Sequence, residues 1–216
     1  MKLYVYDHCP YCVKARMIFG YKNIPFELIT LLNDDEKTPI DMIGQKMVPI
    51  LSDGNSHMPE SLDIISKIDK SDNTLFIIDT PVDSKLEAWL SEARSYLYPL
   101  AMPRWVKSDL EEFETPGAIE YFKKKKEDYI GPFSEHLEKT SSYLKEANTH
   151  LLKLNDLLSD TSFYSGESAS INDIHLYPTL RSLSIVEGIS YPEKVMSYMK
   201  KQEELTRVPL HLDIAL

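Results

Sequence analysis

The first seventy residues alternate between short strand-like runs and helical segments, and this alternation limits the possible folds more than any other feature of the chain. Runs rich in β-branched and aromatic residues, which are typical of strands, occupy residues 3–6, 26–31 and 48–51. Helices are predicted from about Pro10, from the acidic residues 34–36, and over residues 60–70. Strands joined through helices form right-handed βαβ units with at least part of the sheet parallel. We therefore predict an α/β domain.

Two of these helices have a recognisable apolar face. The side chains predicted to point inward are Val13, Met17 and Ile18 in the first helix, and Leu62, Ile65 and Ile68 in the third.

The remainder of the chain has only helical periodicity, which predicts a larger all-helical domain. A first helix begins near Ser84 and should end or kink at Pro99. Leucines recur every seven residues from Leu137 to Leu158, which predicts one long helix packed in a bundle. We expect domains at residues 1–72 and 84–216, joined by a linker at residues 73–83.

Local signals mark two helix starts in the second domain. Thr115 followed by Pro116 predicts an N-cap with proline at the first helical position. Ser170 and Asp173 have the spacing of a short capping box. The run of four lysines at 123–126 is followed by acidic residues and is expected to be a solvated helix face.

Charge and hydropathy exclude several classes of protein. The chain has 24 Lys and Arg against 34 Asp and Glu, a net charge of −10, which argues against a general nucleic-acid binder. Apolar runs are too short to span a bilayer, and the N-terminus lacks a signal-peptide pattern. We expect a cytoplasmic monomer with no membrane or nucleic-acid partner.

Cys9 and Cys12 are the only two cysteines, and they bracket Pro10 and Tyr11. A disulfide scaffold or a four-ligand zinc site would need more cysteine or histidine pairs, so no metal is expected. At a helix N-terminus, backbone N–H groups and the helix dipole lower a thiol pKa and stabilise the nucleophilic thiolate. Cys9 is predicted to be the nucleophile and Cys12 the resolving thiol. The alternative is a pair of cysteines that are simply packed in the core.

The Cys9–Cys12 segment resembles the active site of glutaredoxins, and the α/β-then-helical layout resembles glutathione S-transferases. With Gly44-Gln45-Lys46 ahead of Val48-Pro49-Ile50, the whole chain is similar to the large two-domain bacterial glutaredoxins. The resemblance implies a thioredoxin-like N-terminal domain and a transferase-like helical domain. It also implies glutathione as co-substrate, and partner proteins that carry disulfides or glutathione.

The resemblance further implies a glutathione site. Val48 and a cis-Pro49 would present backbone groups to the cysteinyl part, while Glu60 and Ser61 would bind the γ-glutamyl end. The implied contacts with glutathione are Cys9, Tyr11, Val48, Pro49, Glu60 and Ser61. For the glycyl carboxylate, the candidates Lys14, Gln45 and Lys46 stay open.

Three other functions remain possible from the sequence. A cysteine-type glutathione transferase or dehydroascorbate reductase predicts a dispensable Cys12 and a roomy apolar cleft that faces Cys9. A non-catalytic transferase-like binding protein predicts an ordinary Cys9 pKa near 8.5. Ligation of an iron–sulfur cluster between two chains predicts a coloured protein.

Overall fold

The computed structural model describes residues 1–72, 74–78 and 80–216; Asn73 and Asp79, which belong to the predicted linker, lie outside the described residues. The N-terminal part contains β1 (Lys2–Val5), α1 (Pro10–Tyr21), β2 (Glu27–Thr30), α2 (Lys37–Ile43), β3 (Ile50–Ser52), β4 (His57–Met58) and α3 (Ser61–Asp69). The rest is helical, with α4 (Ser84–Trp105), α5 (Pro116–Ile130), α6 (Phe133–Glu138), α7 (Thr140–Leu157), α8 (Ile171–Leu183) and α9 (Glu193–Thr206). Single 3₁₀ turns lie at Glu111–Phe113 and Leu212–Ile214.

The strands form one four-stranded sheet in the order β2-β1-β3-β4. β1 pairs in parallel with β2, as the βαβ pattern predicts, whereas β3 runs antiparallel to β1 and β4 runs antiparallel to β3. Leu3 is the middle one of three β1 residues that pair on both sides, with Leu28 in β2 and Leu51 in β3. The two-residue β4 was not predicted.

The predicted inward face is correct for α1 and partly wrong for α3. Val13, Met17 and Ile18 are all buried, but Leu62 is 45% exposed. Ile64 takes the place expected for Leu62 and is fully buried together with Ile68. Positions four apart share a helix face, and Leu62 lies outside the face that Ile64 and Ile68 define.

The expectation that α4 ends or kinks at Pro99 is wrong, because the helix continues to Trp105 through both Pro99 and Pro103. Each proline removes one backbone hydrogen bond. The residues from Pro99 to Trp105 are buried, and α4 packs against α7 and α8. Tertiary packing therefore outweighs the local cost of the prolines.

The single long helix predicted over 137–158 is also wrong, since the chain forms α6 and α7 with a break at Lys139. The Arg104 side chain donates a hydrogen bond to the Thr140 hydroxyl at 3.1 Å, directly after the break. Leu151 and Leu154 still face the core of the helical part, as does Leu158 just beyond the end of α7.

Both predicted caps are present. The Thr115 hydroxyl accepts a hydrogen bond from the Ala118 N–H at 3.1 Å. Ser170 and Asp173 form a reciprocal capping box at the start of α8, and both are buried. These caps stabilise helix starts by satisfying backbone donors that have no helical partner.

The two parts of the chain share one continuous core. Gly20 of α1 lies against the backbone of Thr206 in α9, and α1 also packs on α8. The connecting segment docks on the body of the protein, because the Ile78 N–H donates to the Ala169 carbonyl at 2.9 Å. No helix among the described residues is long and apolar enough to cross a bilayer.

Candidate functional site

Cys9 lies where β1 has ended and α1 begins. It is the N-cap residue of α1, with φ −72° and ψ 119°, and Pro10 occupies the first helical position. Proline suits this position because its missing N–H would have no helical partner. Cys9 is partly exposed, whereas Cys12, one turn further along, is completely buried, and both are free thiols.

The surroundings of Cys9 favour a thiolate. A hydrogen bond from the Cys12 thiol is the largest influence on the Cys9 pKa, which falls from 9.0 to about 6 despite the opposing effect of burial. The neighbouring His8 and the backbone N–H groups of Cys12 and Tyr11 lower the Cys9 pKa further. A thiol with this pKa is mostly ionised at neutral pH, and the thiolate is the form that attacks disulfides.

Cys12 is held in the opposite protonation state. Burial raises its pKa well above 9.0, and the hydrogen bond to Cys9 and the nearby charge on Cys9 add to this effect. In the Cys-Pro-Tyr-Cys segment, Cys9 is therefore the anion and Cys12 is the protonated thiol that donates a hydrogen bond to it.

A buried ion pair lies directly before Cys9. Both the backbone N–H and the ring Nδ1 of His8 lie within hydrogen-bonding distance of Glu112 Oε1, at 2.8 Å and 2.6 Å. Burial raises the pKa of the fully buried Glu112, but the hydrogen bond and charge of His8 outweigh burial and hold that pKa below its ordinary value. The imidazole is also enclosed by aromatic rings, those of Tyr6, Trp105, Phe113 and Phe122.

Cys9 opens into a cleft of about 480 Å³ between the α/β part and the helical part. Tyr11, Val48 and His8 line the α/β side near Cys9. The opposing helical wall is largely apolar and includes Leu90, Leu97, Met102, Trp105 and Phe122. A substrate that reaches Cys9 must therefore contact both parts of the chain.

The other residues expected to contact glutathione lie in two places. Val48 lines the cleft, and its peptide bond to Pro49 is cis. Glu60 and Ser61 do not line this cleft in the part of the chain that the structure describes; they begin α3, just after β4. Glu60 has φ 69°, an unfavourable conformation for a residue with a side chain, while Ser61 is buried.

The three candidates for the glycyl carboxylate also differ in position. Lys46 and Lys14 line the cleft, whereas Gln45 does not. Lys46 donates a hydrogen bond to the Asn33 carbonyl at 2.6 Å, and Lys14 Nζ lies 2.7 Å from His175 Nδ1.

The expectation of a purely solvated lysine run is wrong in part. Lys124 is exposed and lies outside the cleft, but Lys125 and Lys126 line it. Lys126 Nζ lies 5.5 Å from the centre of the Phe122 ring, and burial lowers its pKa. The run of lysines followed by acidic residues predicts a polar helix face. It does not show that the N-terminal part of the chain lies across the cleft from this face.

Glu112 is the site residue that sequence reasoning missed. It lies 104 positions after His8 on a short 3₁₀ turn, among several acidic residues without special spacing. Within residues 1–72, 74–78 and 80–216, no group of three or more His, Cys, Asp or Glu side chains is arranged to hold a metal ion.

Comparison with protein families and curated proteins agrees with this architecture. A family model described as "Glutaredoxin 2, C terminal domain" matches residues 85–215, and one described as "Glutathione S-transferase, N-terminal domain" matches residues 3–74. Glutaredoxin 2 of Escherichia coli strain K12 is 43% identical over 217 aligned residues, which cover the whole of both chains.

Solved structures show the same relationship. Glutaredoxin 2 from Salmonella typhimurium, solved in complex with glutathione, has a TM-score of 0.95 and 43% identity, covering 100% of this chain and 98% of that one. Glutathione transferase Omega 3C from Trametes versicolor shares the fold, with a TM-score of 0.58 and 19% identity over 97% of this chain and 84% of that one. Cys9 lies at a helix start in a thioredoxin-like domain, and a transferase-like helical domain follows it. With this architecture and a full-length relative at 43% identity, the chain belongs to the glutaredoxin 2 family.

Proposed function

We propose that this protein is a glutathione-dependent thiol–disulfide oxidoreductase that uses Cys9 as nucleophile and Cys12 as resolving thiol. The observation that carries the proposal is the Cys9 thiol at the N-terminus of α1, with a pKa of about 6, at the base of a cleft. Membership of the glutaredoxin 2 family, and the glutathione complex of the Salmonella typhimurium relative, support the choice of glutathione.

The reaction on a glutathionylated protein takes two exchanges. The Cys9 thiolate attacks the glutathione sulfur of the mixed disulfide, so a Cys9–glutathione disulfide forms and the target sulfur leaves as a thiolate that takes up a proton. The thiolate of a second glutathione then attacks the glutathione sulfur bound to Cys9. Glutathione disulfide is released, Cys9 returns as a thiolate, and the target protein has gained two electrons.

Cys12 acts when the target is a protein disulfide. After Cys9 has formed a mixed disulfide with the target, Cys12 loses its proton and attacks Cys9 Sγ, which releases the target thiolate and closes a Cys9–Cys12 disulfide. Two glutathione molecules then reduce this disulfide. The raised pKa of Cys12 suits this order, because Cys12 stays protonated while Cys9 is the anion.

Glutathione is proposed to lie along the α/β side of the cleft. Tyr11 and Val48 would contact its cysteinyl part beside Cys9, with the cis-Pro49 bond setting the course of the chain there. Glu60 and Ser61, at the start of α3, would bind the γ-glutamyl ammonium and carboxylate.

The decisive experiment compares two serine variants on two substrates. Cys9→Ser should abolish reduction of the mixed disulfide of glutathione and 2-mercaptoethanol. Cys12→Ser should retain this activity and lose most of its activity on a protein disulfide. Retained turnover in Cys9→Ser would refute the proposal.

One observation favours a second candidate, a cysteine-type glutathione transferase or dehydroascorbate reductase. Part of the helical wall of the cleft, which includes Leu90, Leu97 and Met102, is apolar, as such an enzyme would need for an electrophile. That enzyme would not need Cys12. A Cys12→Ser variant with unchanged activity on every disulfide substrate, together with conjugation of an electrophile to glutathione, would favour the second candidate.

The oligomeric state, the compartment and the domain bounds are proposals as well. We propose a monomer that acts in the cytoplasm, where glutathione keeps thiols reduced. We also propose domains at residues 1–72 and 84–216 with a linker at 73–83. Light scattering and cell fractionation would test the oligomeric state and the compartment.

A further inference from the structure

Apart from the Cys9 thiolate, the charged residues that line the interdomain cleft are all cations. None of the described lining residues is Asp or Glu, and five are cations: Lys14, Lys46, Arg94, Lys125 and Lys126. The chain as a whole carries a net charge of −10. A cleft lined by one sign of charge concentrates the potential and attracts ligands of the opposite sign. The cleft therefore favours anions although the protein is acidic.

Salt bridges do not neutralise these five side chains. In the part of the chain that the structure describes, none of the five forms an ion pair with a carboxylate. Two carboxyl groups nevertheless lie near Lys46 and Lys125, since the charge of Lys46 lowers the pKa of both Asp35 and Glu36. Glu36 also accepts a hydrogen bond from the Tyr121 hydroxyl, to which Lys125 donates. Lys46 lies over the same ring, 3.6 Å from its centre. The charge of Lys46 and Lys125 is thus partly offset.

The other three cations have no carboxylate partner among the described residues, and the Cys9 thiolate is the anion that acts on Lys14 and Lys126. Lys14 Nζ lies 2.7 Å from His175 Nδ1 and 5.2 Å from the centre of the Tyr11 ring, and no hydrogen bond joins Arg94 or Lys126 to another described side chain. Lys14 comes from α1, Arg94 from α4 and Lys126 from α5, so both parts of the chain contribute. A ligand that reaches Cys9 therefore passes among cations from several elements.

Exposed aromatic side chains accompany these cations. Tyr11 is 60% exposed and Tyr129 is 69% exposed, and both line the cleft. The ring of Tyr98 lies 6.1 Å from that of Tyr129. Tyrosine and arginine are enriched at the centres of protein–protein interfaces, which distinguishes a surface for polypeptide from a pocket for a small anion.

We propose that the cleft selects glutathionylated cysteines that lie in acidic peptide segments. The inference rests on the proposed exchange chemistry at Cys9 and specifies its protein substrate. The target cysteine enters with its glutathione on the α/β side, and Asp or Glu residues beside it in the target sequence approach Lys14, Arg94 and Lys126. Tyr11 and Tyr129 pack on the peptide between them.

Matched peptides test this selection. Three glutathionylated peptides of equal length, each with one cysteine flanked by Glu, Ser or Lys, are compared by kcat/KM at low ionic strength. Glutathione is common to all three, so its own recognition cancels in the ratios. We expect the Glu peptide to exceed the Lys peptide by roughly tenfold or more. The ratio should shrink with added salt, because the Debye length falls from about 30 Å at 0.01 M to about 10 Å at 0.1 M.

A charge reversal assigns the effect to the cleft. Arg94→Glu should lower the Glu-to-Lys ratio by about threefold, the size expected for one exposed charge pair. Lys85→Glu is the matched control, because Lys85 lies on the same helix, is exposed and does not line the cleft. This control should leave the ratio unchanged.

Two results would overturn the inference: equal kcat/KM for the three peptides, or an equal loss of ratio in Lys85→Glu and Arg94→Glu. The mixed disulfide of glutathione and 2-mercaptoethanol, in which the half that replaces the peptide is uncharged, separates this failure from failure of the proposed function. If that substrate is reduced while the peptides show no charge preference, only the selection for acidic segments is wrong. If neither that substrate nor any peptide is reduced, the glutathione-dependent activity itself is wrong.

Discussion

His8 Nδ1 lies 2.6 Å from Glu112 Oε1, which joins the residue before Cys9 to the helical part of the chain. Glu112 is fully buried, and its second oxygen, Oε2, has no hydrogen-bond partner among the described residues. A buried carboxylate is costly to keep ionised unless a cation pairs with it. The Glu112 carboxylate holds the His8 ring beside Cys9, and the charge of His8 lowers the Cys9 pKa.

The first prediction is that Glu112→Gln raises the Cys9 pKa above about 6. Glutamine can still accept a hydrogen bond from His8, but it removes the negative charge that lies against the His8 ring. We expect a rise of roughly one unit, which corresponds to about 1.4 kcal/mol of lost interaction with the thiolate. The rate of alkylation of Cys9 as a function of pH measures it.

Glu111→Gln is the control for this change, because Glu111 is the adjacent residue and is exposed. Its alkylation profile should match that of the parent protein. An unchanged Cys9 profile in Glu112→Gln would show that the ion pair does not act on the thiolate.

The second prediction concerns the hydrogen bond between the two thiols. The fraction of Cys9 thiolate should rise as pH increases through about 6, so alkylation of the parent protein should be half-maximal near that pH. Cys12→Ala removes the hydrogen bond that most lowers the Cys9 pKa, and the midpoint should move toward 9.0. Cys12→Ser keeps an O–H donor at the same place and should move the midpoint less. Identical midpoints in the two variants would contradict this role for Cys12.

What could be predicted from the sequence was local, and what was missed depends on contacts between distant residues. The position of Cys9 at the start of α1 follows from a strand signal, a proline and an apolar face within twenty residues. The caps at Thr115 and Ser170 are equally local. Glu112 could not be identified, because a carboxylate on a short turn acquires a role only when folding brings it to His8. The continuation of α4 through Pro99 likewise depends on packing that no local pattern encodes.

The third prediction concerns the buried cluster around Asp7, which joins the end of β1 to the helical part. Asp7 pairs with Arg16 at 2.5 Å and with Arg181 at 2.7 Å, and it lies 2.8 Å from His211 Nε2. Asp7→Asn would leave two buried guanidinium groups without a counter-charge. We expect a loss of about 3 kcal/mol in the free energy of unfolding at neutral pH, since breaking a buried pair leaves an uncompensated charge. Urea unfolding measures this loss.

The pH dependence of that loss has a definite sign. Burial raises the Asp7 pKa, but the hydrogen bond with His211 and the charges of Arg181 and Arg16 hold the folded pKa far below 3.8. Stability from a lowered pKa is fully present above the unfolded value and decreases as pH falls toward the folded value. The difference between the parent protein and Asp7→Asn should therefore be constant at neutral pH and shrink below about pH 4. A difference that grows on acidification would exclude this account.

The fourth prediction concerns a close approach between the two parts of the chain, at Gly20. A Cβ atom at Gly20 in α1 would lie 1.9 Å from the backbone oxygen of Thr206 in α9, so Gly20→Ala must push the two helices apart. We expect a loss of about 2–3 kcal/mol in the free energy of unfolding, typical of overpacking a core. Gly117→Ala, near the start of α5, is the control: its Cβ would lie 2.9 Å from the movable Asp34 side chain and 3.9 Å from Thr115 Oγ1, with no backbone atom in the way. Alanine there should be neutral or stabilise by roughly 0.5 kcal/mol, because it restricts the unfolded chain. Urea unfolding of both variants measures the contrast, and equal stabilities would mean that α1 and α9 do not meet at Gly20.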